Sequence, residues 1–225
     1  MSSNNLDGRE SHYSTRVNDS RIFYKFKVIL LGDSGVGKTS LLSRYMDEEF
    51  SDKQCTINAD FKIKSIQIDP FTSAQITIWD TCGQEKYRSM TRQYFKDAHG
   101  IILMFDISDK RSFSNLEGWL EDIKENSIKD DVSIVIVGNK TDLKFRNIKH
   151  ETAVEFCKTN GITYCETSSK EGLNIESPFE TVTKEIIEKK KIIKKYNNND
   201  DTENILVNKK KDIKEQKREK ELKCC

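Results

Sequence analysis

Gly32-Asp33-Ser34-Gly35-Val36-Gly37-Lys38-Thr39 decides the fold, because it lies between the apolar run 26–31 and the helical pattern that begins at Ser40. An apolar strand, a glycine-bearing turn that ends in Lys-Thr and a helix together form a phosphate-binding P-loop. Glycines adopt backbone angles that other residues avoid, so successive N–H groups turn inward and form an anion site at a helix N-terminus. The sequence predicts that Lys38 reaches the outer phosphates and that the Thr39 hydroxyl binds a magnesium ion. A Gly-rich turn without a ligand would not explain this spacing of glycine, lysine and threonine.

Strand patterns and helix patterns alternate along the chain. Continuous apolar runs predict buried parallel strands, and the alternation of apolar and polar residues at 61–64 predicts a half-exposed strand. That strand and the next one are joined by a turn, so we expect an antiparallel pair at a sheet edge. The expected strands are 24–31, 61–64, 75–80, 100–106, 132–137 and 162–165.

The expected helices fall between these strands. One follows the P-loop, a short one ends near Lys96, one carries 113–123 and one contains Val154 and Phe156. The last opens at Ser177-Pro178-Phe179-Glu180, the pattern of a capping box with proline in the first turn. The sequence therefore predicts an α/β fold of the P-loop NTPase type: a doubly wound, mostly parallel sheet with one antiparallel edge strand and helices on both faces.

The composition predicts one folded domain with polar appendages. The 225 residues are enough for a single α/β domain, but 33% charged residues are too many for a uniformly compact chain. We expect a disordered arm at 1–23, a domain at 24–193 and a flexible tail at 194–225. The net charge of +1 argues against nucleic acid as a partner. The six cysteines show neither a C-x-x-C pair nor a disulfide framework, which predicts a reducing compartment.

A second group of polar residues follows the strand at 75–80. Asp80 ends that strand and Thr81-Cys82-Gly83-Gln84-Glu85 comes next. Because parallel strands end at one edge of a sheet, we expect Asp80 to lie near the P-loop and to hold the magnesium shell. Gly83 lets a backbone N–H approach the terminal phosphate, and Gln84 is the candidate that orients the attacking water. Thr56, in the preceding polar loop, is the candidate that adds a hydroxyl to magnesium only when a γ-phosphate is present.

Two segments in the second half of the chain predict recognition of guanine. Asn139-Lys140-Thr141-Asp142 follows a buried strand. The Asp142 carboxylate can accept hydrogen bonds from N1–H and the 2-amino group of guanine, a pair that adenine lacks. Asn139 is expected to brace the loops, and the Lys140 stem to cover the base. Glu166-Thr167-Ser168-Ser169-Lys170 offers backbone N–H groups to guanine O6. Phe50 is a candidate for the other face of the base, although ordinary packing also explains a lone phenylalanine.

Taken in order, these motifs resemble those of Ras-like small GTPases over about 24–190. The subfamily that the chain resembles is Rab, because the segments 60–64, 86–90 and 94–98 are similar to Rab signature segments. The resemblance implies a G domain that binds and hydrolyses GTP, with Mg²⁺ as cofactor, and that acts as a membrane-associated switch in vesicle traffic. Within it, Lys38 and Gln84 are the implied catalytic residues.

The same resemblance implies a set of partners. Effectors are expected to contact an aromatic triad, Phe61, Trp79 and Tyr94, although core packing is an alternative role for Trp79. The other implied partners are GTP and GDP, an exchange factor, a GTPase-activating protein, a GDP-dissociation inhibitor and the prenylation machinery. Cys224-Cys225 resembles the doubly geranylgeranylated Rab terminus, and two lipids with nearby basic residues attach a protein stably to a membrane. We therefore expect a peripheral protein on the cytoplasmic face of endomembranes that cycles with the cytosol.

The chain departs from the Rab pattern around Thr56. The usual Thr-Ile-Gly is Thr56-Ile57-Asn58, the usual alanine before Gly83 is Cys82, and the loop after Phe50 is shorter than usual. These departures leave an alternative open, a GTP-dependent module that recruits effectors and hydrolyses little GTP. An ATP-using P-loop enzyme is a further alternative, which the segment 139–142 disfavours.

Overall fold

The computed structural model of the chain describes residues 22–46, 60–81, 95–127 and 131–191. Its strands are β1 (Ile22–Leu31), β2 (Asp60–Asp69), β3 (Thr72–Asp80), β4 (Gly100–Asp106), β5 (Ser133–Asn139) and β6 (Thr163–Glu166). Its helices are α1 (Lys38–Tyr45), α2 (Lys110–Ser114), α3 (Leu116–Asn126), α4 (His150–Thr159) and α5, which is described over 177–191.

A six-stranded sheet in the order β2-β3-β1-β4-β5-β6 forms the middle of the described structure. β2 pairs antiparallel with β3, and each of the other neighbouring pairs is parallel. The predicted mostly parallel sheet with one antiparallel edge strand is confirmed. Because β1, β3, β4 and β5 run in the same direction, the P-loop, Asp80, Asp106 and Asn139 lie at a common edge.

Helices cover both faces of this sheet, as the sequence predicts. On one face α1 and α5 bury Leu41, Tyr45 and Phe179 against the strands. On the other face α3 and α4 bury Trp119 and Cys157. β4 lies between these layers and all of its side chains are buried, which explains its continuous apolar sequence. None of the helices in the described ranges combines the length and apolar composition that crossing a bilayer requires.

β1 and the helix after β4 differ from the predicted elements. β1 begins at Ile22, whose N–H donates to the carbonyl of Phe71 in the β2–β3 turn at 2.8 Å, so the expected arm at 1–23 overlaps the strand. The single helix expected over 113–123 is instead α2 and α3, with Asn115 between them. The start of β1 depends on pairing with a distant hairpin, which local sequence patterns do not reveal.

α5 begins one residue earlier than the predicted capping box implies. The backbone N–H of Glu180 donates to the carbonyl of Glu176 at 3.0 Å, so Ser177 already lies inside the helix. The Ser177 hydroxyl instead lies 3.7 Å from the Cys165 thiol on β6. The Ser177 side chain, which we expected to cap the helix, therefore contacts another element of the fold instead.

Candidate functional site

The P-loop connects β1 to α1 at the carboxyl edge of the sheet. Gly37, directly before α1, has a φ of 100°, and a Cβ added there would lie 2.3 Å from Asn139 Nδ2. Both facts restrict this position to glycine. The first turn of α1 carries no acidic residue. A helix N-terminus of this kind attracts an anion, because its N–H groups carry partial positive charge.

Lys38 opens α1 and is only 5% exposed. Its Nζ donates to the backbone carbonyls of Gly32, at 2.7 Å, and of Asp33, at 2.8 Å. These contacts fold the side chain back over the loop, so that its charge lies inside the turn. The ammonium and the helix N-terminus together make this turn a site of positive potential, which suits phosphate.

Thr39 and Asp80, predicted to hold magnesium, are in direct contact. Thr39 Oγ1 donates to Asp80 Oδ2 at 2.6 Å, and Asp80 is 2% exposed at the end of β3. The next residue, Thr81, donates its hydroxyl to the carbonyl of Leu30 at 2.6 Å and so ties the end of β3 to β1. A hydroxyl and a carboxylate side by side fit Mg²⁺, which prefers oxygen ligands and takes the others from phosphates and water.

The Asn139 side chain joins the P-loop to the segment after β6. Its Nδ2 donates to the carbonyl of Val36 at 2.9 Å. Its Oδ1 accepts from the Thr167 hydroxyl at 3.0 Å and from the Ser169 backbone N–H at 3.2 Å. Asn139 is 1% exposed, and leaving such an amide without partners would be costly. Asn139 therefore joins the P-loop to the 167–169 segment by hydrogen bonds from both ends of its amide.

Asp142 and Ser168, both assigned to guanine, also contact each other. The Ser168 hydroxyl donates to Asp142 Oδ1 at 2.6 Å and accepts from the Glu171 backbone N–H at 3.0 Å. This chain of bonds orients the carboxylate from one side. Asp142 is half-buried, so its position is fixed while it remains reachable from solvent.

Lys140 has a positive φ of 68° and its Nζ lies 2.7 Å from Asp106 Oδ2 at the end of β4. Burial raises the pKa of Asp106, but the hydrogen bonds from Lys140 and Ser108 outweigh it and leave that pKa below its ordinary value. The carboxylate therefore stays charged and holds the end of the Lys140 side chain. The end of the Lys140 side chain is thereby fixed at the carboxyl edge of the sheet.

Arg44 is a site residue that the sequence analysis missed. It lies in the last turn of α1, and it donates from Nε to the carbonyl of Ser169 at 3.2 Å and from Nη2 to that of Lys170 at 2.7 Å. It thus anchors the 168–170 segment to the helix that carries Lys38. The only sequence signal was a basic residue near a helix C-terminus, which is common on solvated helices as well.

Glu166 is the centre of a second polar cluster at the end of β6. It accepts hydrogen bonds from Arg146, from His150 Nδ1 at 2.8 Å and from the Tyr164 hydroxyl at 2.8 Å. Burial raises the pKa of Glu166, but these donors outweigh it and lower that pKa from 4.5 to about 2. The cluster fixes the strand end from which 167–170 departs.

Two members of the predicted aromatic triad lie together on β2 and β3. Phe61 is 50% exposed and stacks on half-buried Trp79, with ring centroids 5.2 Å apart. Lys27 of β1 places its ammonium 5.2 Å from the centre of the Trp79 ring. Trp79 also packs against the core below it. The surface is therefore partly apolar and open to a partner, and Trp79 serves both core and surface.

Several predicted site residues lie outside the described ranges: Phe50, Thr56, Gly83, Gln84, Tyr94, Cys224 and Cys225. The departures Asn58 and Cys82 lie outside them as well. The described geometry therefore brings together the P-loop, the magnesium candidates Thr39 and Asp80, and the guanine segments.

Comparison with known proteins gives matches over the same region. A profile of the Ras family matches residues 27–188. The chain is 43% identical over 165 residues to the Ras-related protein YPTC6 of Chlamydomonas reinhardtii, an alignment that covers 72% of this chain and 76% of that protein. It is 42% identical over 168 residues to the Ras-related protein RABD2a of Arabidopsis thaliana, which covers 74% of this chain and 82% of that protein.

Proposed function

The chain belongs to the Ras family, and from this membership we propose how its own residues bind and hydrolyse GTP. It is a small GTPase of Rab type that acts in vesicle traffic. The observation that carries the residue assignments is the Asn139 amide, which bonds to the P-loop at Val36 and to Ser169. One rigid frame thereby holds the proposed phosphate site and the proposed base site at a fixed distance.

In this proposal the nucleotide lies across the carboxyl edge of the sheet. The phosphates bind the backbone N–H groups of 34–40, with Lys38 supplying a positive charge. The guanine edge binds Asp142, whose carboxylate Ser168 already orients at 2.6 Å. Further contacts are assigned to Phe50, Thr56, Gly83, Lys140, Ser169 and Lys170.

GTPases of the Ras family use Mg²⁺, and we propose that Thr39 and Asp80 hold it here, with Thr56 added in the GTP state. Bound there, the ion neutralises charge on the phosphate oxygens. Lys38 stabilises the charge that develops during transfer, and Gln84 positions the attacking water. Unaided hydrolysis is expected to be slow, because an arginine supplied by an activating protein contributes about 10³–10⁵ in rate in related systems.

The switch itself is proposed to work through partners and membranes. GTP and GDP states differ at Thr56 and Gly83, which are assigned to the γ-phosphate. Effectors contact Phe61, Trp79 and Tyr94, and an exchange factor, an activating protein and a GDP-dissociation inhibitor control the cycle. Geranylgeranyl groups on Cys224-Cys225 attach the protein to the cytoplasmic face of endomembranes, and nucleic acid is not among its partners.

Single-turnover hydrolysis of GTP tests this assignment. We expect wild type to hydrolyse GTP slowly and a Rab-directed activating protein to accelerate it. Gln84→Leu should lower both rates at least tenfold, because it removes the group that orients water, while GTP affinity stays close to wild type. Equal rates for both proteins would remove Gln84 from the mechanism. A wild type that no such activating protein accelerates would favour the recruiting module with little hydrolysis.

A further inference from the structure

The Asp33 side chain, inside the P-loop, bonds to the corner between α2 and α3. Its Oδ2 accepts from Asn115 Nδ2 at 2.6 Å, and its Oδ1 accepts from Trp119 Nε1 at 2.9 Å. These donors lie 82 and 86 positions along the chain from Asp33. Both carboxylate oxygens of Asp33 are thus held by residues that lie outside the 32–39 turn, at the start of α3.

The backbone carbonyl of Asp33 bonds to Lys38 of the proposed phosphate site. This carbonyl accepts from Lys38 Nζ at 2.8 Å, beside the bond from Lys38 to Gly32. The Asp33 side chain therefore bonds to the α2–α3 corner, while the Asp33 carbonyl bonds to the Lys38 ammonium. A shift of the Asp33 backbone would move the acceptor that orients Lys38.

The donors to Asp33 are themselves firmly placed. Trp119 is 4% exposed and packs in the core beneath α3, so its indole N–H has a fixed direction. Asn115 precedes α3 at the N-cap position, yet its side chain makes no capping bond and bonds to Asp33 instead. The helix break at Asn115 thus coincides with the contact to the P-loop.

The bonds from Asn115 and Trp119 also determine where the negative charge of Asp33 lies. A carboxylate that turned toward the bound phosphates would repel them, and this repulsion grows in a partly buried site. Neutral N–H donors from Asn115 and Trp119 satisfy the Asp33 carboxylate and point it away from the turn. The same two bonds therefore place the loop and keep its acidic side chain out of the anion site.

We propose that Asp33 is a positioning residue of the phosphate site, held by Asn115 and Trp119 so that its carbonyl orients Lys38. This inference rests on the proposed function, because it takes 32–39 as the site that binds the phosphates of GDP and GTP. It couples the position of α3 to nucleotide retention through the bonds of Asp33.

The rate of GDP release from the Mg²⁺-loaded, full-length chain tests the proposal, with a fluorescent GDP analogue as probe. Asn115→Ala should release GDP roughly fivefold faster than wild type, the effect expected from losing one hydrogen bond. Asn115→Gln, which keeps the amide donor, should recover part of the wild-type rate. In an Asp33→Ala background, Asn115→Ala should cause no further increase, because its acceptor is already gone.

Asn126→Ala is the matched control, because Asn126 lies on the same helix and its side chain bonds within that helix, from Nδ2 to the carbonyl of Asp122 at 2.7 Å. It should leave the rate of GDP release unchanged, because its bond does not reach the P-loop. The proposal is overturned if Asn115→Ala leaves GDP release unchanged, or accelerates it equally with and without Asp33. A wild type that does not retain GDP would overturn the proposed function as well, which separates the two failures.

Discussion

Single polar side chains hold the ends of the strands in this molecule. Asn139, at the end of β5, connects the P-loop to Ser169. Glu166, at the end of the neighbouring strand β6, accepts hydrogen bonds from Arg146, His150 and Tyr164. Neither residue needs to touch a ligand to act in this way. At the residue scale, the site is therefore built from buried hydrogen bonds between loops, which are strong because water is excluded from them.

The Glu166 cluster predicts how stability depends on pH. Because folding lowers the pKa of Glu166 from 4.5 to about 2, its stabilising contribution is complete above the higher value and is lost as the pH falls toward the lower one. We expect the difference in urea unfolding midpoint between wild type and Glu166→Gln to shrink over this interval.

Glu155→Gln is a suitable control for this experiment, because Glu155 is exposed on α4. Its effect on stability should stay within about 0.5 kcal/mol. If the stability of Glu166→Gln changes with pH as steeply as that of wild type, the hydrogen bonds to Glu166 do not lower its pKa as described.

Sequence patterns predict residues well where the chemistry is local, and poorly where it depends on distant contacts. Lys38, Thr39 and Asn139 follow from motifs in which each residue type has a known task. The role of Arg44 toward Ser169 does not, because the bond joins residues 125 positions apart and an arginine on a helix is usually solvated. This contact can be recognised only in the folded structure.

At the scale of elements, α5 supports the helix that opens the phosphate site. Phe179 on α5 is fully buried and stacks on Tyr45 of α1, with ring centroids 3.8 Å apart and the planes 9° from parallel. Lys64 of β2 places its ammonium 4.2 Å from the centre of the same Tyr45 ring. The C-terminal end of α1 is thus fixed by packing, while its N-terminal end carries Lys38.

Removing the Phe179 ring should therefore destabilise the domain strongly. Phe179→Ala is expected to lower the free energy of unfolding by about 3–5 kcal/mol, because a large buried side chain is lost and a cavity remains. Urea unfolding of the GDP-loaded protein measures this. Phe145→Ala, at a side chain that is 84% exposed, is the control and should change stability by about 0.5 kcal/mol or less. Equal effects of the two substitutions would contradict the packing of α5 against α1.

The elements were predicted where periodicity is strong. The continuous apolar run of β4 and the alternation in β2 identify both strands, and their order implies the parallel sheet with one antiparallel edge. The division between α2 and α3 was not predicted, since the apolar spacing runs through Asn115 without interruption. The break coincides with the bond from Asn115 to Asp33, a contact 82 positions apart that no local pattern contains.

At the scale of the whole molecule, the described domain supplies the nucleotide site and the proposed membrane attachment lies elsewhere in the chain. If Cys224 and Cys225 carry lipids, a protein with both changed to serine should stay in the cytosol, since two lipids are needed for stable attachment. Fractionation of cells that express tagged full-length chains measures this. Cys165→Ser keeps the pair intact and should fractionate like wild type. A double variant that still sediments with membranes would show that another part of the chain attaches it.

The central claim is that this chain binds guanine nucleotides through Asp142, and competition between GTP and xanthosine triphosphate tests it most directly. Xanthine replaces the 2-amino group of guanine with a carbonyl, which an asparagine amide can donate to and a carboxylate cannot. Wild type and the exposed control Asp97→Asn should prefer GTP, whereas Asp142→Asn should shift the preference toward xanthosine triphosphate by about tenfold or more. An unchanged preference for GTP in Asp142→Asn would contradict the account.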